Sequence, residues 1–170
     1  MENNKNLTLF YNIDFKIILS GVCSTILSIG IGRFIYTPIL PNMQDDLSLD
    51  STTMGVISSY NYLGYLIGSI IPLVSRFQNL RNIIIFSSIF TSFTIFLMGI
   101  TTNLNFFISL RFLCGITSAL SFVSTINLMF DHFRNFKNKN LQLIHFCGIG
   151  LGITLGTLTV WTISELGFKW

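Results

Sequence analysis

The sequence predicts an all-α, polytopic transmembrane helix bundle, and two observations carry that expectation. Apolar runs at residues 17–40, 53–74, 83–100, 106–130 and 141–163 fill most of the chain. Each has about the ~20 residues, at ~1.5 Å rise, that a helix needs to cross a ~30 Å hydrocarbon layer. Charge is also scarce: 51% of the 170 residues are hydrophobic and 10% charged, with a mean hydropathy of +0.66. Soluble domains carry about 25% charged residues, so too few charges are present to coat a surface in water. The bilayer is therefore the chain's first partner. The net charge of +3 forms no basic run with interleaved aromatics, and the sequence gives no sign of nucleic-acid binding.

Residues 1–16, with Lys5 and Lys16, read as an N-terminal segment before the first span. The run at 17–40 is too long for a signal h-region and ends in no small-residue cleavage site, so it reads as a retained helix. Pro38 and Pro41 are expected to close it. Asp50, Ser51 and Thr52 can cap the second span, 53–74, which carries Pro72 near its far end. Arg76 and Arg81 precede the third span, 83–100. An uncharged link, 101–105, leads to the fourth span, 106–130. Arg134, Lys137 and Lys139 precede the fifth, 141–163, and the tail 165–170 holds Glu165 and Lys169. Basic residues thus gather in alternate connections, while the 42–52 loop holds only acids, Asp45, Asp46 and Asp50. The positive-inside rule puts the N-terminus in the cytoplasm and, after five crossings, Trp170 outside. The whole of 17–164 is then one membrane domain, with the tail 165–170 on the outer side.

Two helices carry a lone arginine. Arg33 and Arg111 lie inside apolar runs, at comparable depth in the outer half, with no intramembrane acid to neutralise them. A mid-membrane arginine costs about 2.5–3.5 kcal/mol on insertion scales and usually faces a cavity or partner. Two such cations could grip an anion through their forked donors. The plainer alternative is that each snorkels to the interface or bonds backbone carbonyls. Tyr36 and Thr37 lie beside Arg33, and Gly115, Ser118 and Thr125 share a small, polar stripe with Arg111. On the second span Asn61, Gly64, Tyr65 and Gly68 recur on one helical face. On the fifth, Gly148, Gly152 and Gly156 repeat every four residues, and His145-x-x-Gly148-x-x-x-Gly152 copies the spacing of Asn61-x-x-Gly64-x-x-x-Gly68. Such stripes let backbones approach closely, either as fixed packing or as a contact that moves in a transport cycle.

Other chemistry finds no support. Cys23, Cys114 and Cys147 lie singly in apolar runs and read as small buried hydrophobes. No metal set is expected from His132 and His145, which lie far apart with no paired carboxylates; His145 reads as structural rather than as a proton relay. Gly148-Ile-Gly-Leu-Gly152 lacks the strand and the downstream acid of a dinucleotide fingerprint. Neither a cofactor nor an enzymatic site is expected.

Gly30-Ile-Gly-Arg-Phe-Ile-Tyr-Thr-Pro-Ile-Leu-Pro41, Asn61-Tyr-Leu-Gly-Tyr65 and Arg111-Phe-Leu-Cys-Gly115 resemble the YbfB/YjiJ-like branch of the major facilitator superfamily. The resemblance runs from about Leu19 to the end of the chain. It implies the first five helices of a major-facilitator fold and a secondary transporter of the bacterial inner membrane. Arg111 and Gly115 look like the superfamily's fourth-helix motif, whose arginine is linked to proton coupling in antiporters. In that fold the first and fourth helices line the central cavity, while the second and fifth meet the other half. The resemblance therefore implies a solute path involving Arg33, Tyr36, Thr37, Asn61, Tyr65 and Arg111, with Gly64, Gly68, Gly115, Gly148, Gly152 and Gly156 as packing positions. Arg76-Phe-Gln-Asn-Leu-Arg81 departs from the superfamily's acidic, glycine-containing loop, and the fifth span lacks the antiporter proline.

Superfamily members have two six-helix halves. Against that pattern the chain reads as a truncated or split form, ending before a sixth helix, that pairs with a second half or with itself. The competing expectation is a membrane interaction protein, or transporter remnant, that moves no solute.

Overall fold

A computed structural model describes residues 2–75, 79–134 and 139–167; Arg76, Lys137, Lys169 and Trp170 lie outside the described residues. The described residues form an all-α bundle: α1 (Glu2–Thr25), a π-helical segment (Ile26–Ile31), α2 (Tyr36–Leu47), α3 (Ser51–Val74), α4 (Leu80–Ile100), α5 (Leu104–Phe133), a 3₁₀ segment (Lys139–Phe146) and α6 (Cys147–Glu165). Among the described residues, four stretches are long and apolar enough to cross a membrane: Asp14–Leu47, Leu80–Ile100, Leu104–Phe133 and Asn140–Glu165. α3 is 24 residues long, but Ser58, Ser59, Asn61 and its tyrosines dilute its apolar character, and it is not one of the four.

α5 is the central post. α3 and α4 both lie along it, while α6 packs on the π segment and on α1. The outward faces are apolar: Leu66, Leu73, Phe86, Phe96, Leu155 and Trp161 are all at least half exposed. The interior is unusually hydroxylic. Ser24 on α1 hydrogen-bonds Thr125 (2.7 Å) and Ser121 (3.2 Å) on α5, Ser88 on α4 bonds Ser121 (3.0 Å), and Thr91 on α4 donates to Thr117 on α5 (2.8 Å). In lipid, where apolar burial gives helices little reason to associate, small residues and cross-helix hydrogen bonds hold them together.

Pro38 and Pro41 do not close the first span as expected. Pro38 stands in the first turn of α2, where its missing N–H costs nothing, and Pro41 lies inside the helix. α2 runs on to Leu47 because that extension buries Tyr36 and Met43 in a cluster with Ile57, Met98, Phe107, Leu110 and Cys114. Packing outweighs the single backbone bond lost at Pro41. Helix also reaches back to Glu2, through residues 2–16 that precede the expected first span. The expected fifth span opens as the 3₁₀ segment, with α6 starting only at Cys147. There the His145 Nδ1 donates to the Gln142 carbonyl (2.7 Å), and Gln142 donates to the Phe133 carbonyl at the end of α5 (3.2 Å). At α3 the expected cap is present: the Asp50 carboxylate accepts from the Thr53 N–H (3.2 Å).

The glycine stripes meet neighbours within the chain, which corrects the expectation that the second and fifth helices offer them to an absent half. Gly64 and Gly68 lie against the α5 backbone at Phe112 and Ile116, and Gly115 lies against Asn61 and Tyr65. Gly148 and Gly152 lie against α1 and the π segment at Val22, Ile26 and Gly30, while Gly156 faces the Ile35 side chain. A Cβ at Gly68, Gly115, Gly148, Gly152 or Gly156 would come within 3 Å of another heavy atom. These helices approach closely because nothing larger than hydrogen fits between them.

Candidate solute site

The first span changes character just before Arg33. Backbone bonds step out to the fifth residue, Gly32 N–H to Leu27 O (2.8 Å) and Phe34 N–H to Ile29 O (3.2 Å), and helix resumes only at Tyr36. Single π turns inside α-helices are frequent at functional sites. This one lies where the helix passes Gly152, directly before the turn that carries Arg33.

Arg111 points from α5 toward α2. Its guanidinium carbon lies 4.3 Å from the centre of the Tyr36 ring, and the residue is 3% exposed, which excludes snorkelling. Tyr36 is itself buried, tilted against Phe107 with ring centres 6.3 Å apart. Both residues line a cavity of about 170 Å³ whose other walls are apolar, including Ile35, Ile39, Ile95 and Met98. Arg111 Nε and the Tyr36 hydroxyl are buried without a hydrogen-bond partner.

Arg33 takes a different set of rings. Its guanidinium carbon lies 4.6 Å from the Tyr65 ring centre, 5.0 Å from Tyr62 and 5.5 Å from Phe34, and its Nε is also buried without a partner. Among the described residues neither arginine pairs with a carboxylate. A ring face gives a guanidinium about 0.5–2 kcal/mol, so Arg111 with its single ring falls short of the several kcal/mol that desolvating a charge costs, while three rings bring Arg33 nearer to it.

α3 ties the two arginines into one construction. Asn61 is 2% exposed and its amide donates to the Arg111 carbonyl (2.9 Å). One turn on, Gly64 and Tyr65 meet the α5 backbone at Phe112 and Gly115. The structure thus brings Arg33, Tyr36, Asn61, Tyr65 and Arg111 into one region built by α2, α3 and α5. Asn61 fixes the α5 backbone, and Thr37 is exposed beside Tyr36.

A family model described as "Uncharacterised MFS-type transporter YbfB" matches residues 25–169. The chain belongs to that family. It is a major facilitator, a membrane protein of a transporter class rather than of an enzyme class. No curated protein and no solved structure matches it. The matched span starts at Thr25, directly before the π segment, so it takes in both arginines and every glycine of the two stripes.

Two features of this major facilitator's site escaped the sequence reading. One is the π segment, for which the pair Gly30 and Gly32 inside an apolar helix was the available signal. The other is Tyr62, three residues before Tyr65 on one face of α3 and so able to share a cation with it. Its contact with Arg33 joins two helices, and no spacing within either one announces it.

Proposed function

We propose that this major facilitator carries a small anionic solute across the bacterial inner membrane, with Arg111 and Tyr36 as its primary contacts and Arg33 as the second cation. The observation that supports this reading is the pairing of a buried guanidinium with a buried phenol hydroxyl on one cavity. Both hold unused donors, and among the described residues no carboxylate pairs with the guanidinium. A planar, permanently charged fork suits a carboxylate or phosphate. In this reading Tyr62 and Tyr65 hold Arg33, Asn61 holds the backbone of Arg111, and Thr37 stands at the entrance. The opposite wall of the path comes from a second set of helices, on a continuation of this chain or on another. Solute movement is coupled to protons.

Uptake of a panel of small labelled carboxylates and phosphate, in membranes holding the whole assembly, tests the reading. Arg33→Ala and Arg111→Gln should each abolish uptake while leaving membrane insertion intact, and a protonophore should collapse accumulation. Arg33→Lys should also fail, because an ammonium lacks the planar fork. Undiminished uptake in Arg33→Ala and Arg111→Gln, or a preference for cationic or neutral solutes, overturns it.

A further inference from the structure

A second cavity lies apart from the arginine site. It has about 540 Å³ and lies between α1, α4 and α5, at the end of the bundle that carries Lys16 and Arg81. That volume falls within the usual range of small-molecule and cofactor pockets, about 300–1,000 Å³. Much of its wall is aliphatic, with Ile17, Ile84, Ile85 and Leu128 toward the outside of the bundle and Met129 buried behind them. The hydroxyls in the wall have partners of their own: Ser20 donates to the Ile17 carbonyl (2.8 Å), and Ser24 bonds Thr125. They ask nothing of an occupant. The two cations are different. Lys16 on α1 and Arg81 on α4 both line the cavity, and among the described residues neither makes an ion pair. The nearby carboxylate of Asp14 faces His132 instead (3.1 Å).

We propose that this cavity binds an anionic phospholipid, with the phosphate between Lys16 and Arg81 and an acyl chain along Ile17, Ile84, Ile85 and Leu128. Charge complementarity selects an anion. The aliphatic wall selects a lipid over a free ion, because a bare phosphate would leave those side chains facing water. The surroundings agree. Phe15 and Leu19 on α1 and Ile85 and Phe86 on α4 are about half exposed or more, so the cavity lies beside surface suited to hydrocarbon. Basic pockets between membrane helices are recurrent sites for anionic headgroups. The site is separate from the arginine and tyrosine cluster and holds whether or not that cluster carries an anion.

The test compares association of spin-labelled phosphatidylglycerol and spin-labelled phosphatidylcholine with the protein in phosphatidylcholine bilayers. Phosphatidylglycerol should associate several-fold more strongly, at one site per chain. The preference should fall to near parity in Lys16→Gln combined with Arg81→Gln, whose exposed positions leave helical circular dichroism unchanged. Lys16→Gln alone should lose part of it. Inorganic phosphate at millimolar concentration should not displace the lipid. Equal association of the two lipids, selectivity that survives in the double variant, or displacement by inorganic phosphate alone overturns the proposal; the last of these assigns the cavity to a soluble anion.

Discussion

Gly30 in the π segment and Gly152 on α6 pack backbone against backbone: a methyl group at Gly152 would lie 2.7 Å from the Gly30 Cα and 2.9 Å from the Ile26 carbonyl oxygen. The equivalent seam on the other side of the bundle joins Gly64 and Gly68 of α3 to the α5 backbone, with Gly115 facing Asn61 in return. The shared spacing of Asn61, Gly64 and Gly68 with His145, Gly148 and Gly152 thus has one physical use. In each case a buried polar residue and two glycines bring a helix onto the neighbour that carries an arginine. Paired structural units of this kind are what internal transporter repeats leave behind.

Gly152→Leu should therefore disrupt the protein itself, since its nearest neighbours, Gly30 and Ile26, meet it with backbone atoms and backbone cannot step aside. Overpacking a tight core costs about 1–3 kcal/mol and sometimes more. The expected result is a lower melting temperature and a loss of the monodisperse peak on size exclusion in detergent. Gly150→Ala is the control. It lies on the same helix with nothing within 4 Å, so the change should be neutral or stabilising by up to about 1 kcal/mol, the helix-propensity gain of Ala over Gly. Equal damage from both variants would refute the seam.

Tyr36→Phe separates solute binding from folding. The hydroxyl has no partner, so its removal forfeits no protein hydrogen bond, and stability should hold or rise slightly. If the hydroxyl donates to a bound anion beside Arg111, apparent affinity should weaken about tenfold, equivalent to about 1.4 kcal/mol. A variant with unchanged uptake affinity would remove Tyr36 from the site and leave Arg111 to act without it.

Much of this was legible from residues alone, for identifiable reasons. Composition fixes the membrane bundle because lipid tolerates so few charges. The arginines stand out because each is expensive where it lies. The glycine stripes are visible because helical periodicity reveals a face. Periodicity does not reveal what the face meets, and so an outside partner was expected where Phe112, Ile116, Ile26 and Gly30 in fact supply the contact. Proline punctuation misled for a related reason. The stop expected at Pro38 and Pro41 is a local preference, and the burial of Met43 in a cluster built from three other helices overrides it. The π segment lies further out of reach, since it depends on how α6 fits against Gly30.

The cap of α3 responds to acid. Hydrogen bonds from Thr53, first its hydroxyl and then its backbone N–H, hold the Asp50 carboxyl below the usual carboxylate value. A depressed folded value means that the cap's contribution is fully present above the unfolded pKa of about 3.9 and fades as the pH falls through the lower folded value. Amide exchange at Thr53 and Met54 should accelerate at that acid end. Asp50→Ala should exchange faster at neutral pH, and Asp50→Asn should keep the cap but lose the acid response. A response that persists in Asp50→Asn would assign it to another group.

The orientation can be tested through α3, the helix whose crossing is least evident from its composition. Its 24 residues, at about 1.5 Å each, reach across a ~30 Å core. Its polar residue Asn61 is spent on the α5 backbone and not shown to lipid. The outward face, with Leu63, Leu66, Ile70 and Leu73, is apolar. We therefore expect α3 to cross, making five crossings from a cytoplasmic N-terminus, with Lys16 and Arg81 at the cytoplasmic end and the Asp45, Asp46 and Asp50 loop outside. Reporter fusions at residues 46, 78, 103, 137 and 170 should alternate outside, inside, outside, inside, outside. If 46 and 78 report the same side, α3 does not span the membrane, and every later position reverses with it.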